Sequence, residues 1–386
     1  MNAAAVICEC NPPHRGHEWI FRRAREMGDC VVAVMSGNFV QRGECAVFDK
    51  TARAESLLRL GVDLVVEHPF PWCAASAEFF ARGGVSVAEK MHCETLVFGA
   101  SSDDRTHFMT LAKAALDRPF DPTQTEKNAL GYAAAVQNHL LGLSEGRAEY
   151  QCPNDILAAA YCAEILKNGY KITLNPRKRL EEQDGHPLPS ATDLRDKMTK
   201  FGFPAIENDL PEPVSELLRR DCEAGRTASA ERLFSLALAK YRLTDALPET
   251  AESAGGVNDR LQKAAEQAEN GTQMLTLAAT KKYTNARLRR AALFFLLGLD
   301  GEILRESPRY TLVLAANKVG CEYLAQLRKT ADLEILTKPA AAKTLSPEAR
   351  KQYEYLVRAD RLYTLCLQKI PTANEYLTRS PVIYGK

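Results

Sequence analysis

The sequence predicts an α/β protein in which a doubly wound parallel sheet is followed by an all-helical C-terminal domain. Over the first 200 residues, short apolar runs alternate with amphipathic helical segments, the order that builds a parallel sheet covered by helices. The runs are continuously apolar rather than alternating, which is typical of strands buried on both faces. After Lys200 the strand signals almost vanish. Because 386 residues exceed one simple core, we expect two domains, at 1–200 and 201–386.

Apolar runs bounded by glycine, proline and polar residues place the elements in order. Five runs are predicted as strands: 3–9, 30–35, 62–67, 94–98 and 171–174. Segments between and after them have helical periodicity: 16–27, 49–60, 75–91, 124–143 and 154–168. A further helix opens at Ser190, and amphipathic segments follow at 215–221, 228–242, 258–267 and 283–297. Gly61 and Gly298 are natural helix stops, and residues 36–47 are predicted as a long loop.

Composition favours an ordinary soluble protein, with 46% hydrophobic and 26% charged residues. There is no cationic start followed by an apolar core and no run of about eighteen apolar residues, so we expect no signal peptide, no membrane span and a cytoplasmic location. The eleven cysteines are scattered, which favours reduced thiols. Cys8-Glu9-Cys10 lacks a second ligand pair, so no metal site is predicted. The net charge of +1 does not by itself predict binding to nucleic acid.

The strongest functional signal is His14-Arg15-Gly16-His17, between the first predicted strand and the first predicted helix. In an open parallel sheet this turn lies at the ligand-binding edge. A helix N-terminus attracts phosphate, and two histidines there can contact phosphate oxygens as charge builds in a transition state. Gly16 leaves room for a flat nucleobase. The alternative is a capping loop with incidental histidines, but the strand–turn–helix context favours nucleotide chemistry.

A second candidate is the turn Ser190-Ala191-Thr192-Asp193-Leu194-Arg195. Ser190 and Thr192 are good N-cap residues, and Arg195 lies on the first turn, so the segment taken alone is best interpreted as a capping motif. Nucleotidyltransferases of the HxGH class resemble one another in having a Ser/Thr-rich turn with a basic residue one helical turn on, which holds phosphate. This segment fits that role when it is paired with the histidine motif.

Two polar segments complete the set of candidates. The loop at 36–44 follows the second predicted strand and so reaches the same edge of the sheet; a mobile surface loop is the alternative. Asp49, Lys50 and Arg53 follow on the next helix. Late in the chain, a basic segment at 281–290 contains five cations, for which a solvated helix face is the alternative to RNA contact.

Together these motifs resemble the bacterial tRNA(Met) cytidine acetate ligase family, a branch of the Rossmann-like HxGH nucleotidyltransferases. The resemblance rests on 9–17, 36–44, 49–50, 61–67, 98–99, 153–157, 190–195 and 282–290. The loop at 36–44 is its most discriminating part, because general nucleotidyltransferases lack it. The chain departs from the family pattern at Cys10, Pro13 and Ile20, where members usually have tyrosine, phenylalanine and histidine.

The resemblance implies an enzyme that activates acetate with ATP as acetyl-adenylate and then acetylates N4 of the wobble cytidine of elongator tRNA(Met). It implies ATP carrying Mg²⁺, tRNA and acetate as partners, with neither DNA nor a membrane. The implied catalytic residues are His14, His17, Thr192 and Arg195, and the implied tRNA contacts are Lys282, Arg287 and Arg290. The implied ATP contacts are Val6, Ile7, Cys8, Glu9, Cys10, Asn11, Pro12, Pro13, His14, Arg15, Gly16, His17, Glu18, Trp19, Gly99, Asn154, Arg179 and Ser190.

Two other functions stay open. A small-molecule adenylyltransferase would need neither the helical domain nor the basic segment. A non-catalytic RNA-binding module on the same fold would tolerate broken motifs, yet His14, Gly16, His17, Thr192 and Arg195 are all present.

Overall fold

The computed structural model describes residues 1–118, 142, 153–180, 182–183 and 186–385. Eight strands form the central sheet: β1 (Ala3–Cys8), β2 (Cys30–Ser36), β5 (Leu64–His68), β6 (Thr95–Ala100), β7 (Thr173–Lys178), β10 (Tyr310–Ala316), β11 (Glu334–Leu336) and β12 (Val382–Ile383). Two small hairpins pair β3 (Phe39–Val40) with β4 (Glu44–Cys45) and β8 (Glu182–Gln183) with β9 (His186–Pro187).

The described α-helices cover both faces of the sheet and most of the C-terminal half. They are α1 (Arg15–Arg25), α2 (Lys50–Arg59), α3 (Ala77–Lys90), α4 (Arg105–Asp117), α5 (Pro153–Asn168), α6 (Ala191–Phe201), α7 (Glu212–Glu223), α8 (Ala230–Arg242), α9 (Val257–Gln267), α10 (Gly271–Ala278), α11 (Asn285–Leu297), α12 (Lys318–Leu327), α13 (Pro347–Cys366) and α14 (Glu375–Thr378). Within the described ranges, no helix is both long and apolar enough to cross a membrane.

The sheet runs in the order β11–β10–β5–β2–β1–β6–β7, with β12 beside β10. Strands β5, β2, β1, β6 and β7 are mutually parallel. Alternate residues of β1 enter different cores: Val6 packs in the core that includes Phe21 of α1, and Ile7 in the one that includes Phe80 of α3. The predicted doubly wound α/β architecture is therefore confirmed, and burial on both faces explains the continuous apolar runs.

All five predicted strands are present, each starting within two residues of its predicted position. The fifth is longer than predicted, because it extends through Lys178. The predicted loop at 36–47 contains the short β3–β4 hairpin. The helix predicted at 124–143 lies outside the described residues, apart from Gly142.

The prediction that the chain is helical throughout after residue 200 is wrong. Strand β10 pairs antiparallel with β5, and β11 and β12 pair parallel with β10. Every residue of β10 is buried, and its pairing removes an exposed edge from β5. The largely apolar run between Pro308 and Asn317 was the available signal. The division into domains near residue 200 stays a prediction.

Candidate active site

A cavity of about 470 Å³ lies at the carboxyl ends of β1, β6 and β7. The strands that follow β1 in the chain are added first on one side of it, as β2 and β5, and then on its other side, as β6 and β7. This reversal is a topological switch point, where neighbouring loops leave in opposite directions and open a crevice. The position predicted for the histidine motif is therefore the position of the cavity.

Most of the residues predicted to bind nucleotide line this cavity. They are Val6, Ile7, Cys8, Glu9, His14, Gly16, His17, Trp19, Gly99, Asn154, Arg179, Ser190, Thr192 and Arg195. The predicted contacts outside its lining are Cys10, Asn11, Pro12, Pro13, Arg15 and Glu18. The lining also contains residues not predicted as contacts: Ile20, Gln41, Arg42, Phe80, Phe98, Leu157, Tyr161, Leu180, Leu188, Pro189 and Ala191. Phe80 and Tyr161 lie inside α3 and α5, and no sequence motif marks them.

His14 and His17 form a hydrogen-bonded cap on α1. The Nδ1 atom of His14 accepts from the Gly16 N–H at 3.0 Å, and that of His17 accepts from the His14 N–H at 3.2 Å. With both Nδ1 atoms accepting, the proton of each neutral ring is on Nε2. A Cβ at position 16 would lie 2.9 Å from Cε1 of His14, so the glycine is needed by the His14 ring itself.

Both imidazoles are neutral near pH 7. Burial, together with the charges of Arg179 and Arg195, lowers the pKa of His14 to about 4. Burial also holds the pKa of His17 well below its ordinary value, with His14 and Arg179 contributing. The capping alternative and the catalytic interpretation are therefore compatible: Nδ1 caps the helix, and Nε2–H is left as a donor on a residue that lines the cavity.

The second candidate turn also reaches the cavity. Ser190 is the N-cap of α6: its Oγ accepts from the Asp193 N–H at 3.2 Å, and the Asp193 carboxylate accepts from the Ser190 N–H at 2.9 Å. The capping motif is thus present, while Ser190, Ala191 and Thr192 line the cavity. Two helix N-termini, those of α1 and α6, therefore bring the positive ends of their dipoles to one site.

Arg195 joins these two helix starts. Its guanidinium donates to the Asn11 carbonyl at 2.8 Å, to the Ala191 carbonyl at 3.0 Å and to the Thr192 hydroxyl at 3.3 Å. Asn11 in turn accepts from the Val47 N–H through Oδ1 at 2.8 Å. Asn11 thus supports the site without lining it.

The cavity has an excess of positive charge. Arg42, Arg179 and Arg195 line it, and Glu9 is the one acidic residue among its described lining. Burial raises the pKa of Glu9, and the neighbouring arginines only partly offset this. The Glu9 carboxylate accepts from the Gln41 N–H at 2.7 Å. The Nε2–H donors of the two histidines, the guanidiniums of Arg179 and Arg195 that act on His14, and the two helix N-termini together form a site that suits a polyphosphate.

The Asp49-Lys50 motif belongs to the core rather than to the cavity. The Lys50 Nζ lies 2.9 Å from Glu67 and 2.7 Å from Asp360, and all three side chains are buried. Asn38 donates to Asp360 at 2.9 Å, which ties the 36–44 loop to α13. Burial alone would lower the pKa of Lys50, but the charges of Asp360 and Glu67 raise it, so the lysine stays protonated.

Most cationic side chains of the basic segment, residues 281–290, already contact other groups of the chain. Arg290 pairs with Glu252 at 3.0 Å and its side chain is only 14% exposed. Arg289 forms an ion pair with Glu44. Arg287 donates to the Ala254 carbonyl at 2.6 Å, and both Arg287 and Lys282 lie over the Tyr283 ring. The tRNA contacts at Lys282, Arg287 and Arg290 stay a prediction.

Comparison with known proteins places this site in a family. The HIGH Nucleotidyl Transferase family matches residues 1–376. Two tRNA(Met) cytidine acetate ligases, from Caldanaerobacter subterraneus subsp. tengcongensis and Listeria monocytogenes, are 31% and 33% identical over 384 residues, with 95% of each chain covered. The crystal structure of Thermotoga maritima TmcAL bound with alpha-thio ATP superposes with a TM-score of 0.91 at 28% identity, covering 99% of both chains.

Proposed function

Because the chain belongs to the HIGH Nucleotidyl Transferase family and, within it, to the tRNA(Met) cytidine acetate ligases, we propose that it activates acetate with ATP and acetylates N4 of the wobble cytidine of elongator tRNA(Met). The observation that carries the proposal is the meeting of His14, His17 and two helix N-termini in one electropositive cavity. The solved relative of the same fold binds an ATP analogue.

In the first step, an acetate oxygen attacks the α-phosphorus of ATP. A P–O bond forms, the bond from the α-phosphorus to the bridging oxygen breaks, and pyrophosphate leaves with that electron pair. His14 and His17 would donate Nε2–H to α- and β-phosphate oxygens, while Ser190, Thr192 and Arg195 hold the outer phosphates. The protein supplies position and charge neutralisation rather than covalent chemistry.

Mg²⁺ would arrive on the triphosphate. Glu9 is the one carboxylate in the described lining, and its oxygen already accepts from the Gln41 backbone. The described chain has no group of three His, Cys, Asp or Glu side chains placed to hold a metal. These residues do not fit a resident magnesium site, so no step is assigned to the ion.

In the second step, the cytidine N4 amine attacks the acyl carbon of acetyl-adenylate. The C–N bond forms, the bond from the acyl carbon to the AMP oxygen breaks, and the amine releases a proton. The target base must be exposed, and an anticodon loop presents one without opening a duplex. In this proposal the C-terminal part, from about residue 201, binds the tRNA through Lys282, Arg287 and Arg290, as a single-stranded loop is held mainly through its phosphates.

The test is mass spectrometry of tRNA nucleosides after incubation with ATP and acetate. We expect N4-acetylcytidine in elongator tRNA(Met), with AMP and pyrophosphate as the other products. Omitting acetate or ATP should abolish the product. Transfer of AMP to a phosphorylated metabolite, without acetylcytidine, would instead identify a small-molecule adenylyltransferase. Binding of tRNA with no turnover of ATP would identify a non-catalytic RNA-binding module.

A further inference from the structure

The β3–β4 hairpin connects the cavity to the basic segment, and the steps above do not use it. At its tip, Gln41 and Arg42 line the cavity, whereas Gly43 and Glu44 contact α11, which carries the three arginines of the basic segment. We infer that Arg42 binds a backbone phosphate of the RNA at the mouth of the cavity and so positions the target base beside the acyl-adenylate. The inference rests on the proposed function.

The cavity side of the hairpin is held firmly. Phe39 and Val40 are buried. The Gly43 N–H donates to the Val40 carbonyl at 2.8 Å, which closes the turn. The Gln41 N–H donates to Glu9, at the end of β1, at 2.7 Å. These bonds fix the backbone on both sides of Arg42 relative to the end of the first strand.

The other side of the hairpin rests directly on α11. Gly43 has a φ of +71°, and a Cβ there would lie 2.5 Å from the backbone nitrogen of Arg290. Only glycine allows this approach in the left-handed conformation. Beside it, Glu44 pairs with Arg289, and the Glu44 side chain is 14% exposed. Any RNA seated on α11 therefore lies against an element that also lines the ATP cavity.

Arg42 differs from the other arginines of the cavity. The charges that lower the pKa of His14 are those of Arg179 and Arg195, which places these two beside the histidine pair. The charge of Arg42 acts to lower the pKa of Glu9, as that of Arg195 does, but Arg42 is not among the charges that shift the pKa of either histidine. Arg42 is exposed, and in the described chain it forms no ion pair. An exposed, unpaired guanidinium at the edge of an ATP site is available to a second, anionic substrate, and its fork geometry suits phosphate.

The test separates the two half-reactions in Arg42→Ala and Arg42→Lys. Acetate-dependent ATP–pyrophosphate exchange without tRNA should stay within about twofold of wild type, because this step needs no RNA contact. In Arg42→Ala the KM for tRNA in acetylation should rise about tenfold, the usual size of one lost charge-assisted hydrogen bond. The salt slope of tRNA binding should fall by about 0.7, corresponding to one phosphate of a single strand. Arg42→Lys should recover most of the salt slope, since it keeps the charge.

The control is Arg305→Ala, an arginine with a 73% exposed side chain that lies outside both the cavity and the basic segment. If Arg42→Ala reduces exchange as much as acetylation, Arg42 holds ATP and the inference is overturned. An unchanged KM for tRNA also overturns it. Absence of acetate-dependent exchange in the wild type would instead overturn the proposed function.

The link to α11 has its own test. Glu44→Arg places like charges opposite Arg289 and should raise the KM for tRNA severalfold while exchange is retained. Adding Arg289→Glu restores an ion pair of reversed sign and should restore the KM. A melting temperature measured for each variant separates loss of position from loss of fold. If Glu44→Arg folds normally and binds tRNA as wild type does, the hairpin does not position the RNA.

Discussion

The cavity and the basic segment were both predicted from short motifs, but they differ in how many of their donor groups are already used in contacts within the chain. In the cavity, His14 and His17 cap α1 through Nδ1 and keep Nε2–H available. In the basic segment, Arg289 and Arg290 are already paired with Glu44 and Glu252. A motif at a strand-to-helix turn fixes where its side chains lie, whereas a run of charge does not.

This difference predicts where substitutions act. A change in the cavity should reduce chemistry more than it reduces stability, because the Nε2–H groups of its histidines take no part in capping α1. A change in the basic segment should affect RNA binding and stability together, because arginines predicted to contact RNA or lying beside such contacts also form ion pairs within the chain.

His17→Ala should reduce acetate-dependent ATP–pyrophosphate exchange by roughly 10²–10³, the usual effect of removing one positioned donor to a developing charge. It also removes an acceptor from the α1 cap, which costs about 1 kcal/mol of folding free energy. Exchange assays and thermal denaturation measure the two effects separately. His92→Ala, at an exposed histidine outside the cavity, is the control. Unchanged exchange in His17→Ala would mean that the histidine only caps the helix.

Thr192→Val and Arg195→Ala should each reduce ATP turnover by about 10- to 100-fold, the range for hydrogen bonds to charged groups. Both residues line the cavity, and Arg195 also holds Asn11. Asp193→Ala is a matched control, because Asp193 completes the cap of α6 but does not line the cavity. It should lower the melting temperature and leave turnover nearly unchanged. If all three variants only lower the melting temperature, the turn is a capping motif and nothing more.

The double variant Arg287→Ala and Arg290→Ala should change the log–log salt slope of tRNA binding by roughly one to two, for about two phosphate contacts. Pyrophosphate release from ATP and acetate should survive, because in the proposed mechanism that step needs no contact with RNA. Measured singly, both variants should change the slope, and Arg290→Ala should in addition lower the melting temperature, because it leaves Glu252 without its ion-pair partner.

Two outcomes would contradict the predicted difference between the cavity and the basic segment. An equal loss of both activities in the double variant would mean that the basic segment supports the fold. No loss of either would place the RNA elsewhere, for example along the Arg177-Lys178-Arg179 run next to the cavity. The salt slope separates these cases, because it counts phosphate contacts rather than stability.

Features that depend only on neighbouring residues were predictable from the sequence alone. Continuous apolar runs such as β2 and helix starts such as Asp49 and Ser190 were predictable, because burial pattern and capping chemistry are local. The position of the histidine motif beside a cavity was predictable, because parallel strands bring their carboxyl ends, and the residues that follow them, to one edge of a sheet.

Contacts between residues that are distant in the sequence are set by the tertiary structure. It paired β10 with β5, buried Lys50 between Glu67 and Asp360, and placed Phe80 and Arg42 in the wall of one cavity. These contacts join segments separated by tens to hundreds of residues, and no local pattern records which partner will neutralise a given charge. A run such as 310–316 is apolar whether it becomes a strand or a buried helix, so its pairing depends on the open edge that β5 offers.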